Sequence, residues 1–566
     1  MKKIITLLVL VSAFSFSNAQ SFLKQGTLAQ QDLQRRGEVY FNFPLNDLLL
    51  NPSLSQKISI SHTRDNKIFA YANQREFSDF TAYNIEYSVL TAPSELYSVD
   101  MSNTPAEILT WNYYPTYSAY ETLMQQFAAG HPEICKLLTI TTLASGRKIL
   151  ALRISDHVNI EENEPEFLYT SSIHGDELTG FILMLHLADS LLTGYGSSPR
   201  ITNLVDNYDI VICPLANPDG TYKGGNNTVN GATRFNANNV DLNRNYPDPQ
   251  DGQHPDGNAW QPETVAFMHF ADQNSFTMGA NFHGGAEVVN YPWDTWSKLS
   301  ADDAWWKYVC HEYADTVFAN DQNTNYLTSL YASGVTNGYA WYQITGGRQD
   351  YMNFYKHCRE VTIELSDVKL LPTNQLVDHW KYNYHSLLNY MEQSGFGLRG
   401  LVTDSVSGTA LYAKVYISGF DKDSSNVYTD PEVGDYHRLL KAGTYNVTFS
   451  AGGYASKTFT VSVNDRHSTE LNVRLISNSL GIEEEIAGKY PNRIHIYPNP
   501  VSNGKVTIEA FAPIDELIVR DVTGRILLSL QPQAKKLNFD CRWPAGIYLL
   551  QMKMQGKWEW EKFQVN

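Results

Sequence analysis

Between Pro105 and Gly395, helical patterns alternate with short apolar strand patterns, and this alternation constrains the fold of the chain more than any other feature. Lys148-Ile149-Leu150-Ala151-Leu152, Phe167-Leu168-Tyr169 and Ile210-Val211-Ile212-Cys213 predict strands. Pro115 precedes a predicted helix that carries Leu123, Met124 and Phe127. Gly130 and Pro132 close it, as helix stop signals do. Strands separated by helices imply an α/β domain built on one sheet. In open sheets of that kind, ligands collect beyond the C-terminal ends of the strands.

A chain of 566 residues exceeds what one hydrophobic core supports, so several domains are expected. Residues 1–19 predict a secretory signal peptide, with Lys2 and Lys3, the apolar run Ile4 to Phe14, and the small-residue cleavage site Ser17-Asn18-Ala19 in the required order. That run is shorter than the roughly 20 residues of a spanning helix, so an exported protein with no transmembrane segment is expected. Residues 20–104 predict a small α+β segment resembling a propeptide in its position. Its elements are a strand at Gly37 to Phe43, a hairpin from Lys57 to Ala72 turning at Asp65-Asn66, and a returning strand at Tyr87 to Leu90. Asn73 followed by Glu76 is a capping-box pattern, opening a helix with Phe77 and Phe80 on one face. After the α/β domain of 105–395, short alternating strands at Ala413 to Ser418 and Gly443 to Phe449 predict a β-sandwich over 396–476. Residues 477–490, with Glu483-Glu484-Glu485, form the expected linker, and a last β module occupies 491–566.

A net charge of −17 excludes a phosphate-tracking nucleic-acid binder, which needs a basic surface. Cys135, Cys213, Cys310, Cys358 and Cys541 lack metal-type spacing, and an odd count leaves at least one thiol unpaired.

Four motifs carry chemistry. His174-Gly175-Asp176-Glu177 follows the Phe167 strand and sets an imidazole and a carboxylate three residues apart, both normal zinc ligands. Alone, such a string is commonly incidental surface. Val240-Asp241-Leu242-Asn243-Arg244-Asn245 offers a guanidinium beside an amide, a pair suited to a carboxylate; a polar loop with a surface ion pair is the plainer account. Asn281-Phe282-His283-Gly284-Gly285 ends an apolar stretch in a histidine followed by glycines, and a lone histidine there is more often a structural one. Glu364, in Thr362-Ile363-Glu364-Leu365, is a carboxylate among strand formers. It is costly to bury unless paired or functional.

Taken in order, these pieces resemble the funnelin-type zinc metallocarboxypeptidases, in particular the carboxypeptidase N, E and D branch. The resemblance also rests on Asn217-Pro218-Asp219-Gly220, on Gly334 to Gly338, and on Gly346-Gly347-Arg348-Gln349-Asp350-Tyr351. It implies one zinc ion per chain on His174, Glu177 and His283, with Glu364 as general base and Arg234 stabilising the oxyanion. It assigns Asn243, Arg244 and Tyr342 to the substrate's terminal carboxylate, and Asp241 to orienting His174. Asp294 stands eleven residues after His283, where the branch that removes C-terminal Lys and Arg carries the floor of its side-chain pocket. An ion pair at ~4 Å in an effective dielectric near 20 contributes about 4 kcal/mol before desolvation, enough to choose a basic over an apolar side chain. Asp176 replaces an arginine of the pancreatic branch. Residues 396–476, through Ala442-Gly443-Thr444-Tyr445 and Gly453-Tyr454, resemble the transthyretin-like (carboxypeptidase regulatory-like) β-sandwich of the same branch. Residues 491–566, with Tyr497-Pro498-Asn499-Pro500 and Gly546-Ile547-Tyr548-Leu549, are similar to C-terminal sorting domains of type IX secretion. The implied partners are peptide or protein C-termini and a secretion machinery, and the implied location is the surface or exterior of a Gram-negative bacterium. An enzyme trimming cell-wall peptides and a non-catalytic peptide-binding protein are the competing readings.

Overall fold

The computed structural model describes residues 24–321, 325–478, 494–501 and 504–565. The expected signal peptide and most of the expected linker lie outside these residues. The chain divides into two compact units, Met1–Leu475 and Ile476–Asn566.

In the first unit, the N-terminal segment forms a four-stranded sheet from β1 (Val39–Pro44), β2 (Ser59–Arg64), β3 (Lys67–Ala72) and β4 (Ser88–Val89), in the order β2-β3-β1-β4. The β2-β3 hairpin turns at Asp65 and Asn66, whose φ values of 49° and 60° are in the left-handed region that these short polar side chains tolerate. Helix α1 (Gln74–Thr81) opens on a complete capping box between Asn73 and Glu76. It buries Phe77 and Phe80 against Phe41 and Phe43.

The α/β domain is an eight-stranded mixed sheet. Its strands are β5 (Cys135–Thr142), β6 (Lys148–Ile154), β7 (Glu166–Ser171), β8 (Asp209–Cys213), β9 (Met278–His283), β10 (Ala286–Tyr291), β11 (Val335–Asn337) and β12 (Arg359–Ser366), in the order β11-β10-β12-β9-β7-β8-β6-β5. The central run β12-β9-β7-β8 is parallel, and such strands must be apolar on both faces. Alternate residues serve the two faces. Phe167 and Tyr169 enter one core with Ile210, Ile212 and Phe282, while Leu168 enters the other with Val211 and Cys213. Helices α2 (Tyr117–Gly130), α3 (Thr179–Gly194), α4 (Asp303–Asn320) and α5 (Thr373–Glu392) supply the first core. All five cysteines are buried and free, with no disulfide among the described residues.

The β-sandwich that follows has sheets of five and four strands over Gly397–Ser477. A buried ion-pair network around Asp302 fastens it to the α/β domain, with Arg438 to Asp302 crossing between the two. Arg438 bonds Asp302 at 2.8 Å and Asp421 at 2.7 Å, and Arg359 bonds Asp302 at 2.9 Å. The second unit is a smaller sandwich of three- and four-stranded sheets around Val506, Ile508, Leu517, Val519 and Leu550. No helix among the described residues is long and apolar enough to cross a membrane.

Candidate metal centre and substrate cleft

Strand ends place the chemistry. The chain leaves β7 at Ser171 and reaches His174 three residues later, and His283 is the last residue of β9. Parallel pairing of β9 with β12 sets His283 directly beside Glu364. His174 and Glu177, 109 and 106 residues from His283 in sequence, therefore meet it at the C-terminal edge of the sheet.

Three ligand-type atoms converge there. His174 Nδ1 lies 3.0 Å from Glu177 Oε2 and 3.1 Å from His283 Nδ1, which is 2.9 Å from the same carboxylate oxygen. The far side of each imidazole is held separately. His174 Nε2 is 3.1 Å from Asp241 Oδ1, and the side-chain amide of Asn281 is 3.0 Å from His283 Nε2. Metal-ligating histidines are commonly oriented by such contacts at the other ring nitrogen. All three residues are buried. Burial holds the His283 imidazole down to about 4, so it is neutral and offers a lone pair. Burial alone would raise the Glu177 carboxyl, but His174, Lys369 and His283 outweigh it and hold it well below its ordinary value. Two imidazole nitrogens and a carboxylate oxygen facing one point are a donor set that fits zinc.

Glu364 lies in the same cavity, and its Oε2 has no hydrogen-bond partner among the described residues. Burial, reinforced by the charge of Glu177, pushes its carboxyl well above the ordinary value. Arg234 donates from Nε to Asp241 at 3.0 Å and from Nη1 toward Glu177 at 3.4 Å. Asn243 accepts from the backbone of Arg348 at 2.9 Å. The buried Nε of Arg244 has no partner among the described residues. At the far end, Asp294 Oδ1 accepts from Asn290 at 3.1 Å and Gln349 at 3.0 Å. A Cβ on Gly338 would stand 1.7 Å from that oxygen, so only glycine lets the carboxylate occupy this place. His174, Arg234, Asn243, Arg244, His283, Asp294, Tyr342 and Glu364 line this cavity, and Glu177 and Asp241 touch His174.

Four participants were not visible in the motifs. Lys369 donates to Glu177 Oε1 at 2.5 Å and lies 3.4 Å from Asp176. The other three come from the N-terminal segment. The Tyr71 hydroxyl donates to Asp176 at 2.8 Å, and its ring lies under Lys369 and Arg234 at 4.9 and 5.8 Å. Ser59 donates to Asp241 at 2.6 Å. Glu38 accepts from the backbone of Arg234 and Phe235 at 3.2 and 3.1 Å. Tyr342 packs against the core of the same segment. The cavity that remains is narrow, about 30 Å³.

Family models match at residues 120–386 (zinc carboxypeptidase), 397–476 (carboxypeptidase regulatory-like domain) and 495–566 (secretion system C-terminal sorting domain). Carboxypeptidase D of Mus musculus is 35% identical over 379 residues, covering 64% of this chain and 27% of that protein. The carboxypeptidase N catalytic chain of Homo sapiens is 33% identical over 378 residues, covering 61% of this chain and 81% of the relative. A crystal structure of thrombin activatable fibrinolysis inhibitor aligns with a TM-score of 0.49 at 18% identity, over 63% of this chain and 98% of that one. The chain belongs to the zinc carboxypeptidase family, and it spans 27% of the length of the carboxypeptidase D it matches.

Proposed function

We propose that this chain is a secreted, zinc-dependent carboxypeptidase that releases C-terminal Lys or Arg, and that its N-terminal segment keeps it latent. The observation that carries the reading is the convergence of His174, Glu177 and His283 within 3.1 Å of one another, beside Glu364 and above the Asn243-Arg244 pair. His174, Glu177 and His283 would hold a zinc ion, which would supply the Lewis acidity to activate water and polarise a carbonyl. Glu364, kept basic and desolvated, takes the proton of the attacking water and passes it to the leaving amine. Arg234 faces the charge that develops on the carbonyl oxygen. Asn243, Arg244 and Tyr342 bind the terminal carboxylate, which restricts cleavage to the last residue. Asp241 fixes the tautomer of His174 by accepting from its Nε2, and Asp294 receives the cationic side chain of the departing residue.

Latency is supported by the narrowness of the remaining cavity, about 30 Å³, and by the hold of Ser59, Tyr71 and Glu38 on the residues around it. The C-terminal module acts as the signal read by a type IX secretion machinery, which carries the protein to the cell surface or beyond. Hydrolysis of peptides ending in Arg, Phe or a cell-wall stem peptide, measured before and after zinc removal and readdition, tests the activity. Arg-terminated peptides should be cleaved fastest, with activity lost to chelator and restored by zinc. Equal rates on Phe-terminated peptides would discard the basic preference, preferred cleavage of stem peptides would favour wall trimming, and chelator-resistant cleavage would discard the metal mechanism.

A further inference from the structure

A second cluster of metal-type groups lies at the other end of the sheet. Glu166 is the first residue of β7 and Asp209 the first of β8, and parallel pairing sets the two side by side. Glu161, on the loop entering β7, joins them, and one oxygen from each lies within 4.8 Å of the others. Arg153 of β6 is the cation in direct contact. It bonds Asp209 Oδ2 through Nε at 2.6 Å, with Nη2 3.4 Å from Glu161 and 3.6 Å from Glu166 Oε2.

The charges do not balance. Three carboxyl groups against one guanidinium would leave two negative charges if all were ionised, and Asp430 and Asp435 of the β-sandwich act on Glu161 with the same sign; burial pushes all three carboxyls up, so a proton or a cation has to join them. The hydrogen bonds do not balance either. Glu166 Oε1 accepts from Ser275 N at 2.6 Å, but Glu166 Oε2 and Asp209 Oδ1 are buried with no hydrogen-bond partner among the described residues. The two residues are only 4% and 8% exposed. A buried carboxylate oxygen left this way costs free energy unless a proton or a cation meets it. Glu161 and Glu166 also line a cleft of about 600 Å³ between the α/β domain and the sandwich, which gives an ion a route in.

We propose that Glu161, Glu166 and Asp209 form a structural binding site for calcium, separate from the zinc centre and facing the β-sandwich. The donor set is all oxygen, which suits a hard cation and not zinc. Calcium, with ligands at about 2.3–2.6 Å, tolerates oxygens nearly 5 Å apart across the ion, whereas magnesium at about 2.0–2.1 Å does not. Arg153 holds one oxygen of Asp209 and so leaves the other for the ion. Water and the carboxylates of the cleft supply the remaining ligands. Bound calcium would stiffen the loop before β7 and the seam with the sandwich.

The test is calorimetric titration of CaCl2 into the full-length, zinc-loaded protein, with melting curves alongside. One further site is expected, with Kd on the order of 10⁻⁴–10⁻³ M, in the range of extracellular calcium modules. Several millimolar calcium should raise the melting temperature by a few degrees, and magnesium should do less. Glu161 is 26% exposed at its side chain, so Glu161→Gln is expected to fold; it should weaken calcium binding at least tenfold with zinc content unchanged. Hydrogen exchange on the unmutated protein gives an independent reading, with calcium slowing exchange in residues 156–166 and at Ser275. Absence of binding, unchanged affinity in Glu161→Gln, or slowed exchange confined to other regions would overturn the proposal. So would a melting temperature that responds to acidification but not to calcium, because protons would then neutralise the cluster.

Discussion

Strand β7 joins two clusters of three metal-type side chains, one beyond each end, and they differ in donor type and in charge. At its C-terminal end, two imidazoles and one carboxylate face each other, with Lys369 and Arg234 already beside the carboxylate. At its N-terminal end, three carboxyl groups share Arg153 as their one contacting cation among the described residues. The first set puts one carboxylate beside two imidazoles, and the cations around it keep that carboxylate ionised. The second crowds three carboxyl groups that burial pushes up, so protons or a cation must join them. One strand thus carries a nitrogen-rich centre fit for Lewis-acid chemistry and an oxygen-only centre fit for a structural ion.

The contrast breaks most visibly at Glu364. Glu364→Gln should keep zinc, measured by metal analysis, and lower kcat by ~10²–10⁴-fold, while the calcium response of the other cluster stays intact. A near-normal rate would take Glu364 out of the base role. Cutting the chain in the exposed stretch at Leu96 and removing the N-terminal segment should raise activity on Arg-terminated peptides at least tenfold, because ~1.4 kcal/mol of lost closure is already a factor of ten. Equal activity before and after the cut would remove latency. Asp294→Asn should lower kcat/KM for Arg-terminated peptides by ~10²-fold, about 2.7 kcal/mol, and change Phe-terminated peptides only a few-fold. Burial pushes the Asp294 carboxyl up to about 6. It is therefore charged above that pH and neutral below it, and KM for Arg-terminated peptides should climb as pH falls through 6. The smallest effect sharpens the comparison at the acidic end. Burial pushes Glu161 up to about 7 from 4.5, so the proton it holds when folded stabilises the protein at low pH. That stability is lost as pH rises through 7. Calcium must displace this proton at pH 6 but not at pH 8, so its melting-temperature gain should be larger at pH 8.

Much of this was legible in the chain. The hairpin at Asp65-Asn66 and the capping box at Asn73 are local, and local chemistry decides them. The α/β character of 105–395 followed from apolar runs buried on both faces. His174, Glu177, His283 and Glu364 could be singled out because each sits in a short motif next to a strand. Lys369, Tyr71, Ser59 and Glu38 could not, because their partners are fixed only by packing. Ser59 and Asp241 are 182 residues apart, and Tyr71 and Asp176 are 105 apart. The acidic cluster was hidden for a related reason. Glu166 and Asp209 become neighbours through strand register, and neither stands in a recognisable string.

Tyr342 belongs to two bodies at once, lining the cleft while packing on the hydrophobic core of the N-terminal segment. On the proposed role of Tyr342, occupancy of the cleft and folding of that segment compete for one side chain. The closed protein should leak: its resting activity measures the population in which the segment has locally opened, and it should rise with temperature before the α/β domain melts. Linkage runs the other way as well. A tight analogue of a C-terminal arginine would lower the melting point of the N-terminal segment while raising that of the domain beneath it.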